Sequence, residues 1–301
     1  MGRRGTGPGR SYLTPADLPY YLGCPSWSDA AWRGSFYPAD TQACDTLGLY
    51  ARTFNAVEGN TTFYAWPAAA TVARWAEEMP AHFRFTAKFP RDISHGGDLA
   101  SQLEMANAFL RSLAPLGERV SPVWLQLSAS FGPSRLAELA MFIEAVSRPL
   151  AVEVRHPAFF SKGAEERALN RLLRDTGTER ICMDTRALFS VNSTDPGILH
   201  AQAMKPRVPP RPAALTDRPQ VRFVGLPGVA DNEPFLDPWV AKVAEWIEEG
   251  RRPYVFLHTA DNRDAHAQAR RFHERLTERL PGLPALPPVP AAGAPAQMGL
   301  L

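Results

Sequence analysis

The chain has 301 residues, of which 45% are hydrophobic and 21% charged, with a formal net charge of +2 at pH 7. That balance excludes a disordered polar chain, and it supplies no strong field to draw the protein to nucleic acid or anionic lipid. The 29 prolines and 21 glycines exclude a coiled coil or plain helical bundle, because a proline inside a helix costs about 3 kcal/mol.

In chain order, residues 1–18 are Gly/Arg/Pro-rich and read as a tail. No apolar run follows the basic MGRRGTGPGR start, so no signal peptide is expected. Eight short apolar runs then begin at Tyr20, Phe54, Phe83, Val123, Leu150, Arg180, Val221 and Tyr254. Their starts lie 27 to 41 residues apart, the length of a strand, a crossover helix and two loops. Between them, apolar residues recur with helical spacing, as at Val72, Trp75, Ala76 and Met79. The same face repeats at Leu136, Leu139, Ala140 and Ile143, at Val240, Val243, Ala244 and Ile247, and along Leu99, Leu103, Ala106, Leu110 and Leu113. Residues 185–220 break the rule with six prolines and predict a crossover that is mostly loop. Residues 281–301 are Pro/Ala-rich without periodicity and read as a second tail.

The pattern predicts one α/β domain over 19–280, a TIM-like (β/α)8 barrel that is irregular around the crossover after the sixth strand. A doubly wound open sheet is the alternative, opposed by the lack of a Gly-rich phosphate loop after the first strand. Three scattered cysteines without a CxxC pair fit a reducing, cytoplasmic setting. No apolar run is long enough to span a membrane. No cofactor or oligomeric state is indicated.

Side chains alternate along a strand, so one parity faces the helices and the other the barrel interior. Val57, Ala87, Leu125, Leu127, Val152, Val154, Ile181, Met183, Phe223, Val255 and Leu257 read as helix-facing. The opposite parity carries Glu58, Lys88, Gln126, Glu153, Arg155, Asp184, Arg222 and His258, mostly late in their strands. In such barrels that end carries the chemistry. Buried ion pairs also fill barrel interiors for purely structural reasons, so the weight rests on the set rather than on any single residue.

The segments GCPSWSDAAWRGSFYP (from Gly23), VEGNTTFYAWP (from Val57), KFPRDISH (from Lys88) and EVRHPAFF (from Glu153) resemble the YecE-like proteins, domain-of-unknown-function family 72. The resemblance runs in order over about residues 20 to 275 and implies a TIM-barrel fold without implying a reaction. Two departures stand out. Val224 replaces the histidine of an R-x-H-G motif on the seventh strand, and His258-Thr259 stands near the place of paired asparagines on the last.

Glu58 and Glu153 are the first candidates for acid–base work, since two carboxylates at a barrel mouth could divide the roles of acid and base as in glycoside hydrolysis. With Lys88 and His156 they form the expected catalytic set of a hydrolase acting on a polar or sugar-like small molecule. Trp27, Asn60, Tyr64, Gln126, Arg155, Asp184, Arg222 and His258 form the expected substrate-binding set. Trp32 and Phe36 read as aromatics clamping a loop to the barrel, and His95 as a loop anchor. Cys24 reads as a small packed residue. His156, Asp184, Glu153 and His258 are ligand types, but no HxH or HxxxH spacing supports a metal site, so the signal is weak, no metal ligand is assigned, and the sequence does not decide whether a metal is bound. The alternative class is a binding barrel without chemistry, for a small ligand or, more weakly supported by the near-neutral charge, nucleic acid.

Overall fold

In the computed structural model, which describes residues 15–290, each of the eight apolar runs forms a strand. They are β1 (Tyr21–Cys24), β2 (Ala56–Gly59), β3 (Arg84–Ala87), β4 (Val123–Gln126), β5 (Leu150–Glu153), β6 (Glu179–Asp184), β7 (Gln220–Gly225) and β8 (Tyr254–Thr259). All pair in parallel, in the spatial order β3-β2-β1-β8-β7-β6-β5-β4. The ring closes between β3 and β4 through a single bridge, Lys88 to Trp124, with Phe89 N donating to Trp124 O at 2.9 Å. The fold is therefore a nearly closed barrel whose weakest seam lies at β3–β4. Residues 1–14 and 291–301, which carry most of the expected tails, lie outside the described residues.

The helices between the strands are α1 (Thr46–Tyr50), α2 (Thr61–Tyr64), α3 (Ala69–Glu78), α4 (Arg91–His95), α5 (Leu103–Ser112), α6 (Leu136–Ala145), α7 (Ala164–Asp175), α8 (Pro196–Met204), α9 (Glu233–Glu248) and α10 (Ala265–Arg279). Their buried faces carry the periodic residues: Val72 and Trp75 on α3, Leu139 and Ile143 on α6, Val240 and Val243 on α9. These pack on Val57, Ala87, Leu125, Val152, Phe223 and Leu257 in one continuous core. The proline-rich crossover after β6 holds one nine-residue helix, α8, which Asp195 caps by accepting from Ile198 N at 3.0 Å. Residues 281–290 run beside α10, where Pro284 O meets His273 Nε2 at 2.9 Å and Leu283 and Leu286 are buried. Among the described residues no helix is long and apolar enough to cross a membrane.

Inside the barrel, Tyr21, Ala56, Trp124, Ala151, Ile181, Tyr254 and Phe256 form a separate apolar layer. Lys88 Nζ sits 5.2 Å from the centroid of the Trp124 ring, so the charged layer rests on this apolar floor. The clamp formed by the loop after β1 is aromatic, with Trp32, Phe36, Tyr37 and Tyr50 fully buried. The Tyr50 hydroxyl accepts from Cys24 N and donates to Ala56 O, entering between β1 and β2. Gly23 makes room for this approach: a Cβ there would stand 2.1 Å from Ala56 O.

One strand departs from the expected parity. On β6, Ile181 and Met183 pair in register with Gln220 and Arg222 and point into the barrel, whereas Asp184 aligns with the outward Phe223. Asp184 therefore leaves the interior: its Oδ2 accepts from Trp239 Nε1 on α9 at 2.7 Å and is paired with Arg186. Arg180, on the same outer face, meets Glu166 and Asn170 of α7. At Arg180 and Asp184 polarity marks contacts with the helix layer, and the apolar Ile181 and Met183 take the inward positions.

Candidate functional site at the carboxyl end of the barrel

Glu58 is the penultimate residue of β2, Lys88 follows β3, Gln126 ends β4, Glu153 ends β5, and Arg222 and His258 lie on β7 and β8. Strand tilt carries these residues into one layer, and each is at most 7% exposed. Arg222 is its centre. Its Nε donates to Glu58 Oε2 at 3.0 Å and its Nη1 to Glu153 Oε2 at 3.0 Å, so one guanidinium bridges both carboxylates. Glu58 Oε1 also lies 2.8 Å from Lys88 Nζ, and His258 Nε2 stands 2.6 Å from Glu58 Oε2. Arg155 Nε donates to Glu153 Oε1 at 2.8 Å, and Lys88 Nζ to Gln126 Oε1 at 3.4 Å.

The electrostatics follow from this packing. Burial alone would raise the Glu58 carboxyl, but Arg222, Lys88 and His258 outweigh it and hold it well below the usual range. Burial likewise opposes ionisation of Glu153, yet Arg155, Arg222 and Lys88 bring it down to about 2. Burial, assisted by the Arg222 charge, lowers Lys88 to about 8 against the pull of Glu58 and Glu153. Burial lowers His258 to about 4, so its imidazole is neutral near pH 7 and its Nε2–H donates to Glu58. With both carboxylates ionised and bridged, neither is a neutral proton donor at neutral pH.

Above this layer opens a cavity of about 460 Å³, in the range that holds small ligands. Five cationic side chains line it: Lys88, Arg91, Arg155, Lys205 and Arg222. Among the described residues no Asp or Glu does; Glu58 and Glu153 lie beneath, enclosed by their partners. Arg91 on α4 and Lys205 after α8 have no carboxylate partner among the described residues. The Arg222 charge, together with burial and Lys88, pushes the Lys205 amine down to about 7 against the pull of Glu58 and Glu153. The amides of Asn60, Gln126 and Asn262 and the rings of Phe63, Tyr64 and His95 complete most of the wall.

Of the expected site residues, Asn60, Tyr64, Lys88, Gln126, Arg155, Arg222 and His258 line this cavity, and Glu58 and Glu153 support its floor. Three do not join them. Asp184 faces α9, as described. His156 accepts from Ala158 N at 3.2 Å through Nδ1, capping the turn Pro157–Phe160. Trp27 packs edge-on against Trp75 and Phe85. Arg91, Lys205 and Asn262 are not among the expected site residues, because loop and helix-end residues have no parity to betray their direction. Arg91 did stand inside the KFPRDISH segment. His95, expected as a loop anchor, lines the cavity while its Nδ1 lies 2.9 Å from Ser94 Oγ. Among the described residues no group of three or more His, Cys, Asp or Glu side chains is placed to hold a metal ion.

A family model described as "Protein of unknown function DUF72" matches residues 21–293. The chain is 38% identical over 272 residues to UPF0759 protein YecE of Escherichia coli K12, covering 90% of this chain and 97% of that protein. It is 37% identical over the same length to the O157:H7 counterpart. Among solved structures, it resembles a DUF72 family protein of Enterococcus faecalis V583 with a TM-score of 0.64 and 22% identity, over 87% of this chain and 97% of that one. A DUF72 family protein of Thermotoga maritima MSB8 matches with a TM-score of 0.64 and 22% identity, over 85% of this chain and 98% of that one. Those two structures share the barrel fold.

Proposed function

The chain belongs to the DUF72 family, proteins of unknown function, and from that premise we propose that it is an acid–base enzyme acting on a small polar molecule that carries an anionic group, bound at the carboxyl end of the barrel. One observation carries the reading: five cations and no acid line the cavity, and two of the cations, Arg91 and Lys205, lack a carboxylate partner among the described residues. Unpartnered cations crowded at a partly buried site gain most from an anion, and arginine adds a bidentate fork for phosphate or carboxylate.

Proton transfer falls to Lys88. Its amine lies on the cavity floor with a proton affinity near neutral pH, the condition for general acid–base work. Glu58 and Glu153 act as fixed anions that hold Lys88, Arg155 and Arg222 in place, in preference to the paired-carboxylate division of a glycoside hydrolase. Calorimetry with inorganic phosphate tests the binding. The protein binds it, and replacing both Arg91 and Lys205 by Met lowers the affinity at least about tenfold while the unfolding midpoint holds; absence of binding to the unaltered protein overturns the site. A panel of small phosphorylated and carboxylated compounds tests the chemistry. Lys88→Met keeps anion binding and loses turnover, whereas undiminished turnover in that variant removes Lys88 from its role.

A further inference from the structure

The cavity wall carries features that an inorganic anion does not use. Tyr64 is 75% exposed and lines the cavity, with its ring open to a ligand. It is held rigidly. Phe63 meets it edge-on at 5.2 Å, His95 braces Phe63 at 5.5 Å, and Thr62 Oγ1 donates to Lys88 O at 2.7 Å, tying α2 to the end of β3. Met204, 55% exposed, also lines the cavity and offers a second soft apolar surface.

Beside these surfaces lie amide groups with open hydrogen-bonding positions. Asn60 Nδ2 donates to Pro25 O, which leaves its Oδ1 as an acceptor. Gln126 Oε1 accepts from Lys88, which leaves its Nε2 as a donor. Asn262 stands in the left-handed region at φ 61°, held there by Trp32 Nε1 donating to its carbonyl at 2.9 Å. Its side-chain amide lines the cavity and makes no hydrogen bond among the described residues. A ring to stack on, donors and acceptors for a polar edge, and cations for an anion are thus gathered in one cavity.

We propose that the ligand is a nucleoside monophosphate: a planar heteroaromatic ring that lies against Tyr64, its polar edge at the amides, and a phosphate at Arg91, Arg155 and Lys205. This rests on the anion-binding reading of the same site and names its substrate class. The free nucleotide is favoured over the end of a nucleic-acid strand, because a net charge of +2 supplies no extended basic track for further phosphates.

Calorimetry with the four common nucleoside 5′-monophosphates, ribose 5-phosphate and inorganic phosphate tests the assignment. At least one nucleotide binds about tenfold or more tightly than ribose 5-phosphate, the effect expected of one stacked base. Tyr64→Ala, at an exposed position that leaves folding intact, removes that margin and leaves ribose 5-phosphate binding unchanged. Equal affinities for nucleotide and ribose 5-phosphate overturn the proposal while leaving the anion site standing, as does a Tyr64→Ala variant that weakens both alike. A 5′-phosphorylated oligonucleotide that binds more tightly than every monophosphate overturns the free-nucleotide assignment. Failure of every probe, phosphate included, brings down the anion reading itself.

Discussion

Two buried ionic clusters lie on opposite faces of the same sheet. Outside, Glu166 of α7 meets Arg180 at 3.1 Å and Arg211 at 2.8 Å, so two guanidinium groups share one carboxylate. Their remaining donors end on protein oxygens: Arg180 on Asn170 Oδ1 and Phe159 O, Arg211 on Phe160 O. Inside, the cations around Glu58 and Glu153 also outnumber the acids, but Arg91 and Lys205 line the cavity with no such acceptor among the described residues. Burial and ion pairing are therefore common to both clusters and identify neither as a site. What separates them is that two of the inner cations have no direct carboxylate partner among the described residues.

The largest effect expected from breaking this comparison is on stability. Glu58→Gln leaves Arg222 and Lys88 buried against a neutral partner and costs about 3–5 kcal/mol, read from the urea midpoint. Glu166→Gln does the same outside the barrel, and a neutral result for Glu58→Gln removes the fixed-anion role. Next comes anion affinity. Arg211→Met leaves phosphate binding unchanged while lowering stability, the reverse of the Arg91 and Lys205 pair, and any common response of the two sets erases the distinction.

Acid sharpens it further. His258 is lowered to about 4 and Glu153 to about 2, so the unfolded chain takes up protons first. The stability from His258 is present above pH 6.5 and lost as pH falls toward 4; that from Glu153 is present above pH 4.5 and lost toward 2. Glu153→Gln flattens the lower part of the acid limb in a pH series of thermal midpoints, and an unchanged limb contradicts the bridged carboxylate. Sulfate, whose charge is constant over the range, binds more weakly as pH rises through 7, where Lys205 loses its proton. The smallest effect belongs to Asp184→Asn, which keeps an acceptor for the Trp239 indole. It costs about 1 kcal/mol and leaves phosphate binding untouched, whereas lost binding places Asp184 back at the mouth.

Much of the barrel was legible in the chain because its signals are local. Strand spacing and helix faces at Val72 or Val240 repeat over a few residues, and parity on β2, β5 and β7 correctly aimed Glu58, Glu153 and Arg222 inward. The same rule failed on β6, where Arg180 and Asp184 are polar on account of Glu166 and Trp239 on the helices that cover that strand. Nor does alternation say anything of Arg91 or Lys205, which leave the strands altogether.

By itself, then, the sequence determined the repeating strand–helix order and the gathering of polar residues at one end, since both follow from short-range periodicity. Only the tertiary structure decided that one guanidinium joins Glu58, 164 residues away, to Glu153, 69 residues away. The same holds for which cations end without a partner. Both depend on contacts between distant segments, and no local pattern encodes what a side chain meets on the far side of a barrel.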